Sequence, residues 1–441
     1  MVQKQRQGTG FNHSLRRATT ILITSIVANA FCAGSGPLID AIDKLNIAPA
    51  TAEAEESRTR RRRQGPAEAR RIISDFLESD RTGIVFSPEF SQRHFFFIVP
   101  SLSSISRLVT LEQAETAQTI LEESDETRIT VFVSSAENIA PVREHFFQVT
   151  QELSQYHELG RLEFRVGGYT GRGWAQDLGE SVRRGEHNSE FIVGFNDTDI
   201  AGTNTLHTPP YVQSEFDIPV TRIPILLEGG DLTRTILNEE NVVVTGPRTI
   251  RLTREYYGQH FDYEISDDEI RRILQHAFSA DRVMFLRNPR TDQEPGLVGH
   301  IDQAVFFPMD GIAVMLVPET INPDTLQLLD MALALRQYRI QLRQAGFRVI
   351  GIPTNTNHAL HFEAYANSIP IIKSDGSALI IMPSFGNADL EDAIQRRFEI
   401  EDMDLRFVTS RIGLLGGNIH CTIGALASLD ISNQLEPILQ G

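Results

Sequence analysis

The feature that most constrains the fold is the alternation of β-rich and helical segments from about Phe76 towards the C-terminus. The β-rich segments carry many Val, Ile and Phe residues, as strands usually do, and apolar residues recur at helical spacing between them. We predict strands at 94–100, 128–135, 162–166, 190–195, 241–246, 282–287, 311–318, 347–353, 377–383 and 405–410. We predict helices at 111–124, 141–159, 266–278, 323–346 and 388–398.

Regular alternation of strands and helices indicates an α/β fold. The recurring unit of strands followed by a helix, about every 60 to 80 residues, suits a ring of similar modules as well as one doubly wound sheet. The pattern alone does not choose between these two architectures.

Residues 1–30 are predicted to be an export signal. Basic residues, among them Arg16 and Arg17, precede a short apolar run that reaches a small-residue triplet at 28–30, a pattern typical of cleavage sites. The run is shorter than the ~20 apolar residues that a spanning helix needs. We expect an exported protein, periplasmic or secreted, with no stable membrane insertion after signal removal. The alternatives are an uncleaved membrane anchor and a buried helix.

Residues 31–75 are predicted to be a flexible linker. They mix Ala, Glu and Pro with five clustered arginines, at Arg58 and at 60–63. Such a composition buries too little apolar surface to offset the entropy of ordering the chain. The predicted folded domain is therefore 76–441.

The charge of the chain argues against a nucleic-acid partner. Residues 1–71 contain twelve Lys and Arg and six Asp and Glu, a net charge of +6. The whole chain has a net charge of −17, so the remaining residues carry −23. An acidic body of this kind repels nucleic-acid phosphates. It is compatible with a solvated surface or with cationic ligands.

The chain has two cysteines, Cys32 and Cys421. Cys32 lies beside the predicted signal, which leaves Cys421 as the single cysteine of the predicted domain. A lone thiol cannot form an internal disulfide. Cys421 is therefore either a small buried side chain or a reactive nucleophile.

Short polar motifs interrupt the apolar pattern near predicted strand ends. They contain Trp174 and Asp177 in GRGWAQDLGE, Glu228 in LLEGGDLT, His300 and Asp302 in GLVGHIDQAVFF, Cys421 in GGNIHCTIGA and, more weakly, Asn367 in AYANS. Taken alone, each has an ordinary interpretation as a turn, hairpin or core residue. Together they supply a nucleophile, an acid/base and cation-binding carboxylates. Side-chain alternation would place His300 and Asp302 on one face of a strand.

Carboxylates around a thiol hinder its ionisation unless the substrate itself brings a positive charge. Guanidinium is the natural candidate, because it is planar, always charged and offers a donor fork that matches carboxylates. The residues therefore favour a guanidinium-bearing substrate. His300 and Asp302 could contribute two metal ligands, but no compact set of further His or Cys lies beside them in the sequence, so we expect neither a metal nor a cofactor.

The order of the motifs, W-x-x-D, E-G-G, G-H-x-D and G-G-x-I-H-C, resembles the guanidino-group modifying (pentein) superfamily. The most similar branches are the Porphyromonas-type peptidylarginine deiminases and the agmatine deiminases. This resemblance implies a five-module pseudo-symmetric α/β propeller around a central site.

The resemblance also implies roles for the motif residues. It implies that Cys421 is the nucleophile and His300 the general acid/base, while Asp177 and Asp302 hold the guanidinium. The substrate-binding residues that it implies are Trp174, Glu228 and Asn367.

The resemblance implies hydrolysis through a covalent amidino-thioether on the cysteine. The expected reaction converts peptidyl-arginine to citrulline and ammonia, because export favours a protein substrate. The alternative is an agmatine deiminase that yields N-carbamoylputrescine and ammonia. Gln176, Ile423 and Gly424 depart from the family pattern and leave the substrate open. An amidinotransferase, a cysteine peptidase and a non-catalytic binding protein are less favoured.

Overall fold

The structure is a computed structural model that describes part of the chain. The described residues are 65–99, 104–167, 175, 179–185, 188–194, 218–287, 300–320, 326–355, 363–373, 375–411 and 419–426. All of them belong to one compact unit, Arg62–Gly441. The predicted export signal and most of the predicted linker lie outside the described residues.

The helices of the described chain lie between and after its strands. They are α1 Pro66–Leu77, α2 Ser104–Glu123, α3 Ala136–Val149, α4 Glu152–Glu158, α5 Pro247–Phe261, α6 Asp267–Phe278, α7 Leu326–Ala345 and α8 Ala388–Ile400. Helix α6 begins with a capping box, in which Ser266 and Glu269 satisfy each other's backbone N–H groups. No helix within the described residues is long and apolar enough to cross a membrane.

The strands within the described residues form five sheets. The strands are β1 Ile84–Val85, β2 His94–Val99, β3 Arg128–Val133, β4 Leu162–Val166, β5 Glu180–Arg184, β6 Asn188–Val193, β7 Val220–Arg222, β8 Leu232–Leu237, β9 Glu240–Thr245, β10 Arg282–Phe285, β11 Val305–Met309, β12 Ile312–Thr320, β13 Arg348–Asn355, β14 Ile369–Ile372, β15 Ala378–Ser384, β16 Asp404–Thr409 and β17 Ile423–Leu426. The strand orders in the sheets are β1-β5-β6-β7, β10-β9-β8, β11-β12-β13, β14-β15-β16 and β17-β2-β3-β4.

Each sheet repeats one pairing pattern. A first strand (β5, β8, β11, β14 or β17) runs antiparallel to a central strand, and a third strand runs parallel to that central strand. Parallel neighbours need a crossover connection, which helices usually supply. Described helices fill this connection in four sheets: α2 before β3, α5 and α6 before β10, α7 before β13, and α8 before β16.

Four apolar clusters join these elements, and each contains residues of more than one sheet. One cluster joins the β8–β10, β11–β13 and β14–β16 sheets, for example through Val244, Val314 and Ile380. A second joins the sheets of β6 and β9 with α1, α5 and α6. A third joins the sheets of β2 and β15 with α2 and α3. The fourth joins β2 and β3 to β6 through Phe96, Phe132 and Phe191.

Helix α1 corrects the predicted boundary between linker and folded domain. The linker was predicted to extend to residue 75, but α1 covers 66–77 and buries Ala69, Ile73 and Phe76 against α5 and α6. These three positions lie on one face of the helix and remove apolar surface from water. The folded body therefore begins before residue 76.

Every predicted strand overlaps an observed strand, and none of these observed strands is the first strand of its sheet. The five first strands were not predicted. Four of them lie at a sheet edge, where proline is tolerated, and Pro308 and Pro370 indeed lie in β11 and β14. The predicted helix 141–159 is two helices, because α3 ends at Val149 and α4 begins at Glu152. The sequence did not predict α1 and α5.

Candidate active site

The predicted site residues within the described chain share one position in the repeated unit. Glu228 precedes β8, His300 and Asp302 precede β11, Asn367 precedes β14, and Cys421 precedes β17. Each therefore lies directly before the first strand of a sheet. Short 3₁₀ turns lead into three of these first strands, β8, β11 and β17. The turns are Gly229–Asp231, Ile301–Gln303 and His420–Thr422.

This placement corrects one expectation from the sequence. His300 and Asp302 were expected on one face of a strand, but His300 caps the turn Ile301–Gln303 and Asp302 lies within it. In the turn their directions follow from turn geometry and not from strand alternation. Trp174 and Asp177 lie outside the described residues, and in sequence Asp177 stands three positions before the first residue of β5.

Cys421, Asp302 and Asn367 form one buried cluster. The Cys421 Sγ atom lies 3.4 Å from Asp302 Oδ2, and Asn367 Nδ2 donates to Asp302 Oδ2 at 2.8 Å and to Cys421 Sγ at 3.2 Å. All three residues are at most 5% exposed. The predicted nucleophile and one predicted cation-binding carboxylate are therefore neighbours.

Asn367 also fixes the turn that carries the thiol. Its Oδ1 atom accepts hydrogen bonds from the backbone N–H groups of His420, at 3.1 Å, and Cys421, at 3.4 Å. One amide thus holds the backbone of Cys421 from one side and its sulfur from the other. The weakest motif of the sequence analysis lies at the centre of the cluster.

The second oxygen of Asp302, Oδ1, is buried, and no hydrogen-bond donor among the described residues reaches it. A buried carboxylate oxygen without a partner is costly, so natural structures usually reserve it for a ligand or water. Asp302 therefore has an unused acceptor atom on the same carboxylate that contacts the thiol.

His300 forms a second group with Glu228 and Arg248. The His300 Nε2 atom lies 2.6 Å from Glu228 Oε2, and Arg248 forms an ion pair with the same carboxylate. Burial would raise the pKa of Glu228, but hydrogen bonds and charges of His300 and Arg248 outweigh it and lower that pKa to about 2. Glu228 therefore stays ionised and orients the imidazole.

Gly230 brings the two groups together. A Cβ atom added to Gly230 would lie 2.5 Å from His300 Nδ1 and 3.3 Å from Asp302 Oδ2. The imidazole and the carboxylate thus both pack against the backbone of this glycine, which leaves no room for a side chain. Glycine at this position therefore permits a close approach of the backbone to both side chains.

Asp231 connects the same motif to helix α5. Its Oδ2 atom accepts the backbone N–H of Thr249 at 2.7 Å, in the first turn of α5. Burial raises the pKa of Asp231 to about 7. Arg248, from the same helical turn, reaches back to Glu228. The Glu-Gly-Gly-Asp stretch is therefore both a site motif and a helix cap.

Sequence reasoning missed two further residues that contact the cluster. The His420 Nδ1 atom lies 3.0 Å from Asp302 Oδ2, and its Nε2 atom lies 3.0 Å from Glu89 Oε1. Both residues are buried. The position of His420 beside Cys421 was a signal for it, whereas Glu89 stands in an unremarkable Ser-Pro-Glu-Phe segment. Within the described part of the chain, no group of His, Cys, Asp and Glu is arranged to hold a metal ion.

Comparison with known proteins first defines the fold. A Campylobacter jejuni agmatine deiminase superposes with a TM-score of 0.57 at 16% identity, covering 78% of this chain and 96% of that one. A Porphyromonas gingivalis protein assigned as an arginine deiminase gives a TM-score of 0.55 at 18% identity, covering 78% of this chain and 98% of that one. A search of curated proteins finds no significant match. The fold is thus the α/β fold of these deiminases.

The sequence then defines the family. A profile of the Porphyromonas-type peptidyl-arginine deiminase family matches residues 91–424, a span that includes every site residue predicted from the motifs. The chain belongs to this family. The resemblance inferred from the order of the motifs is confirmed.

Proposed function

We propose that this protein hydrolyses a guanidinium group through a covalent intermediate on Cys421. The observation that carries the proposal is the pairing of a buried thiol with a carboxylate 3.4 Å away, whose other oxygen is buried and has no partner among the described residues. A guanidinium bound to that oxygen would bring its central carbon next to the sulfur. Membership of a deiminase family supports the same reaction.

In the first step, the thiolate of Cys421 attacks the guanidinium carbon and forms a C–S bond. His300 gives a proton to one terminal nitrogen, whose C–N bond breaks, and this nitrogen leaves as ammonia. A substrate-derived amidino-thioether remains on the sulfur. The Glu228 carboxylate holds the imidazole in place for this transfer.

In the second step, water attacks the same carbon while His300 accepts a proton from it. Collapse of the tetrahedral intermediate breaks the C–S bond and returns the thiolate, the second proton of the water passes to solvent, and the product is a neutral ureido group. The charge of the substrate is lost in the reaction. The carboxylates that hold the cation therefore hold the product less tightly.

The residues outside the described ranges complete the proposed site. We propose that Asp177 provides a second carboxylate for the guanidinium and that Trp174 forms a wall of the pocket. Their motif resembles the family pattern, and Asp177 precedes β5 as the other site residues precede their own first strands.

We further propose that the five sheets form a propeller around this site. The shared apolar clusters support a cyclic order of the sheets. They join the sheet of β5 to that of β8, the sheet of β8 to those of β11 and β14, the sheet of β14 to that of β17, and the sheet of β17 to that of β5. In such a ring, the turns before all five first strands would converge.

The proposed substrate is peptidyl-arginine, which would become citrulline. The basis is the predicted export signal, since free arginine and agmatine metabolism belongs inside cells. Agmatine, which would give N-carbamoylputrescine, is the second candidate, and the superposition on an agmatine deiminase supports it as well.

One comparison separates these possibilities. Purified protein is incubated with an arginyl peptide amide, free arginine and agmatine, and the ureido product, ammonia and the carboxylic acid formed by amide hydrolysis are measured side by side. Citrulline in the peptide supports the first candidate, and carbamoylputrescine supports the second. Cleavage of the amide bond without ammonia from the guanidinium would indicate a cysteine peptidase.

Two further outcomes are covered by the same assay. Transfer of the amidino group to an added amine in place of water would indicate an amidinotransferase. A Cys421→Ala variant should form no ureido product. Unchanged biological activity of that variant would favour a non-catalytic binding protein.

A further inference from the structure

His420 is held between two carboxylates inside the protein. It directly precedes Cys421 in the turn His420–Thr422 and is 5% exposed. Its Nδ1 atom faces Asp302 Oδ2 and its Nε2 atom faces Glu89 Oε1, each at 3.0 Å. An ionised carboxylate can only accept hydrogen bonds, so both ring nitrogens must donate. A ring that donates from both nitrogens is an imidazolium.

The charges around the ring support the same protonation state. Burial alone would lower the pKa of His420, but the charge of Glu89 and the hydrogen bonds to Asp302 and Glu89 outweigh it and raise that pKa to about 10. Burial would likewise raise the pKa of Glu89, which His420 lowers. The charge of the buried Arg234, which is paired with Glu180, also lowers the pKa of Glu89.

Glu89 is itself anchored. It lies in the turn Glu89–Ser91 before β2, and its Oε2 atom accepts a hydrogen bond from the hydroxyl of Thr233 in β8. The chain of contacts therefore runs from β8 through Glu89 and His420 to the turn before β11, where Asp302 lies. It ties the imidazolium to parts of three sheets, so the ring cannot shift without disturbing all of them.

The imidazolium acts on the oxygen that also contacts the thiol. Asp302 Oδ2 accepts from His420 Nδ1, from Asn367 Nδ2 and from Cys421 Sγ. The two N–H donors, joined by the thiol while it is protonated, fix the rotation of the carboxylate. They leave the buried Oδ1, which has no partner among the described residues, as the acceptor that we assign to the substrate.

The same contact places the protonated ring one carboxylate oxygen away from the sulfur. Without it, Asp302 and Glu89 would oppose ionisation of the thiol by like-charge repulsion. The sequence suggested that the substrate alone relieves this repulsion. The structure contains a protein cation that relieves part of it before any substrate binds.

We infer that His420 is a positioning residue: a fixed imidazolium, anchored by Glu89, that directs Asp302 towards the guanidinium and favours the thiolate of Cys421. This role rests on the proposed function for its effect on turnover. Its effect on the thiol does not depend on that function and can be measured without a substrate.

The test compares His420→Asn with His420→Gln in the full chain. Both variants remove the charge, but the Asn amide nitrogen lies near the position of Nδ1 and keeps the hydrogen bond to Asp302, whereas the Gln amide lies near Nε2. The pH midpoint for alkylation of Cys421 by iodoacetamide should rise in both variants, by about one pH unit or more. His157→Asn, at a half-buried histidine outside the site, should leave the midpoint unchanged.

Turnover then separates positioning from charge. His420→Gln should lower kcat/KM by on the order of 100-fold, because a misdirected Asp302 misplaces the reacting carbon, and His420→Asn should retain clearly more activity. If both variants fold, yet alkylate and turn over as the wild type does, the inference is overturned. If the wild type turns over no guanidinium compound, the proposed function fails, and the alkylation midpoints still decide the role of His420.

Glu89→Gln provides a second variant in case the histidine variants do not fold. It keeps His420 and its shape but removes the anion that holds its proton. The alkaline limb of kcat/KM should then move to lower pH than in the wild type, because the ring loses its proton earlier. An identical alkaline limb in the two proteins would contradict the anchoring role of Glu89.

Discussion

At the scale of single residues, the site depends on one carboxylate. Asp302 Oδ2 accepts hydrogen bonds from three donors, whereas Asp302 Oδ1 accepts none from the residues that the structure describes. The sequence could predict Asp302, Cys421 and Asn367, because each is a polar residue in a distinctive motif. It could not predict Glu89, since nothing local marks it and its role arises only from contacts with distant segments.

Loss of the Asp302 charge should impair turnover far more than folding. Asp302→Asn keeps the size of the side chain but removes the anion that we propose binds the guanidinium, so kcat/KM should fall by about 10² to 10³. Steady-state ammonia release is the measurement. Asp310→Asn, in the exposed turn between β11 and β12, is the matched control and should behave as the wild type. Equal activity of the two variants would remove Asp302 from the site.

Glu228 should make stability depend on pH in the acid range. Its pKa falls from 4.5 to about 2 because of His300 and Arg248, although burial opposes this. A lowered carboxyl pKa stabilises the fold above its unfolded value, so this contribution is complete above pH 4.5 and is lost as the pH falls towards 2. Its size at neutral pH is about 3 kcal/mol.

The comparison is between urea unfolding of the wild type and of Glu228→Gln, at neutral pH and near pH 3. The wild type should be more stable at neutral pH, and the difference should shrink in acid. A difference that is constant with pH would show that the carboxylate is not held in its charged form by these partners.

At the scale of elements, the first strands of the sheets determine where the site residues lie. Each predicted site residue in the described chain stands just before one of them. These first strands are hard to predict from the sequence, because short edge strands with Pro308, Pro370 or Gly424 lack the continuous apolar pattern of the central strands. The central strands were predictable since they are buried on both faces and read as runs of Val, Ile and Phe.

Gly424 in β17 should tolerate no side chain. A Cβ atom there would lie 2.2 Å from the ring of Phe96, its partner across the β17–β2 ladder. Gly424→Ala should therefore destabilise the protein by about 1 to 3 kcal/mol through overpacking. This close contact gives a physical reason for one of the departures from the family pattern.

Gly258 in α5 is the matched control. It is exposed, and a Cβ atom there would meet nothing within 4 Å. Gly258→Ala should raise the free energy of unfolding by about 0.5 to 1 kcal/mol, because alanine favours a helix interior. Thermal unfolding of the two variants measures both effects, and a stable Gly424→Ala protein would contradict the packing described for β17.

At the scale of the whole molecule, the sequence predicted the α/β class and the family, because alternation and motif order are both local in the sequence. It placed the start of the folded body too late. Helix α1 looked like the end of an Arg-rich linker, since its apolar residues Ala69, Ile73 and Phe76 are spaced among charges. Only their burial against α5 and α6 reveals the helix as part of the core.

Truncation should locate this boundary. A chain that begins at residue 65 keeps α1 and should unfold at the temperature of the full chain. A chain that begins at residue 79 loses Ile73 and Phe76, and each buried side chain of this size contributes about 2 to 5 kcal/mol. The shorter chain should therefore melt at a clearly lower temperature. If both chains melt at the same temperature, α1 does not stabilise the folded body and belongs to the linker.

We expect Cys421 and Asp302 to bind a flat cation together, and labelling of Cys421 by a matched pair of reagents measures this preference. Chloroacetamidine carries an amidinium, and chloroacetamide is its neutral counterpart. Rates of Cys421 alkylation, followed by mass spectrometry and normalised to a free thiol, should favour the cation by on the order of 100-fold, and Asp302→Asn should abolish the preference. If the neutral reagent labels Cys421 as fast as the cation does, or if the preference survives in Asp302→Asn, the account is contradicted.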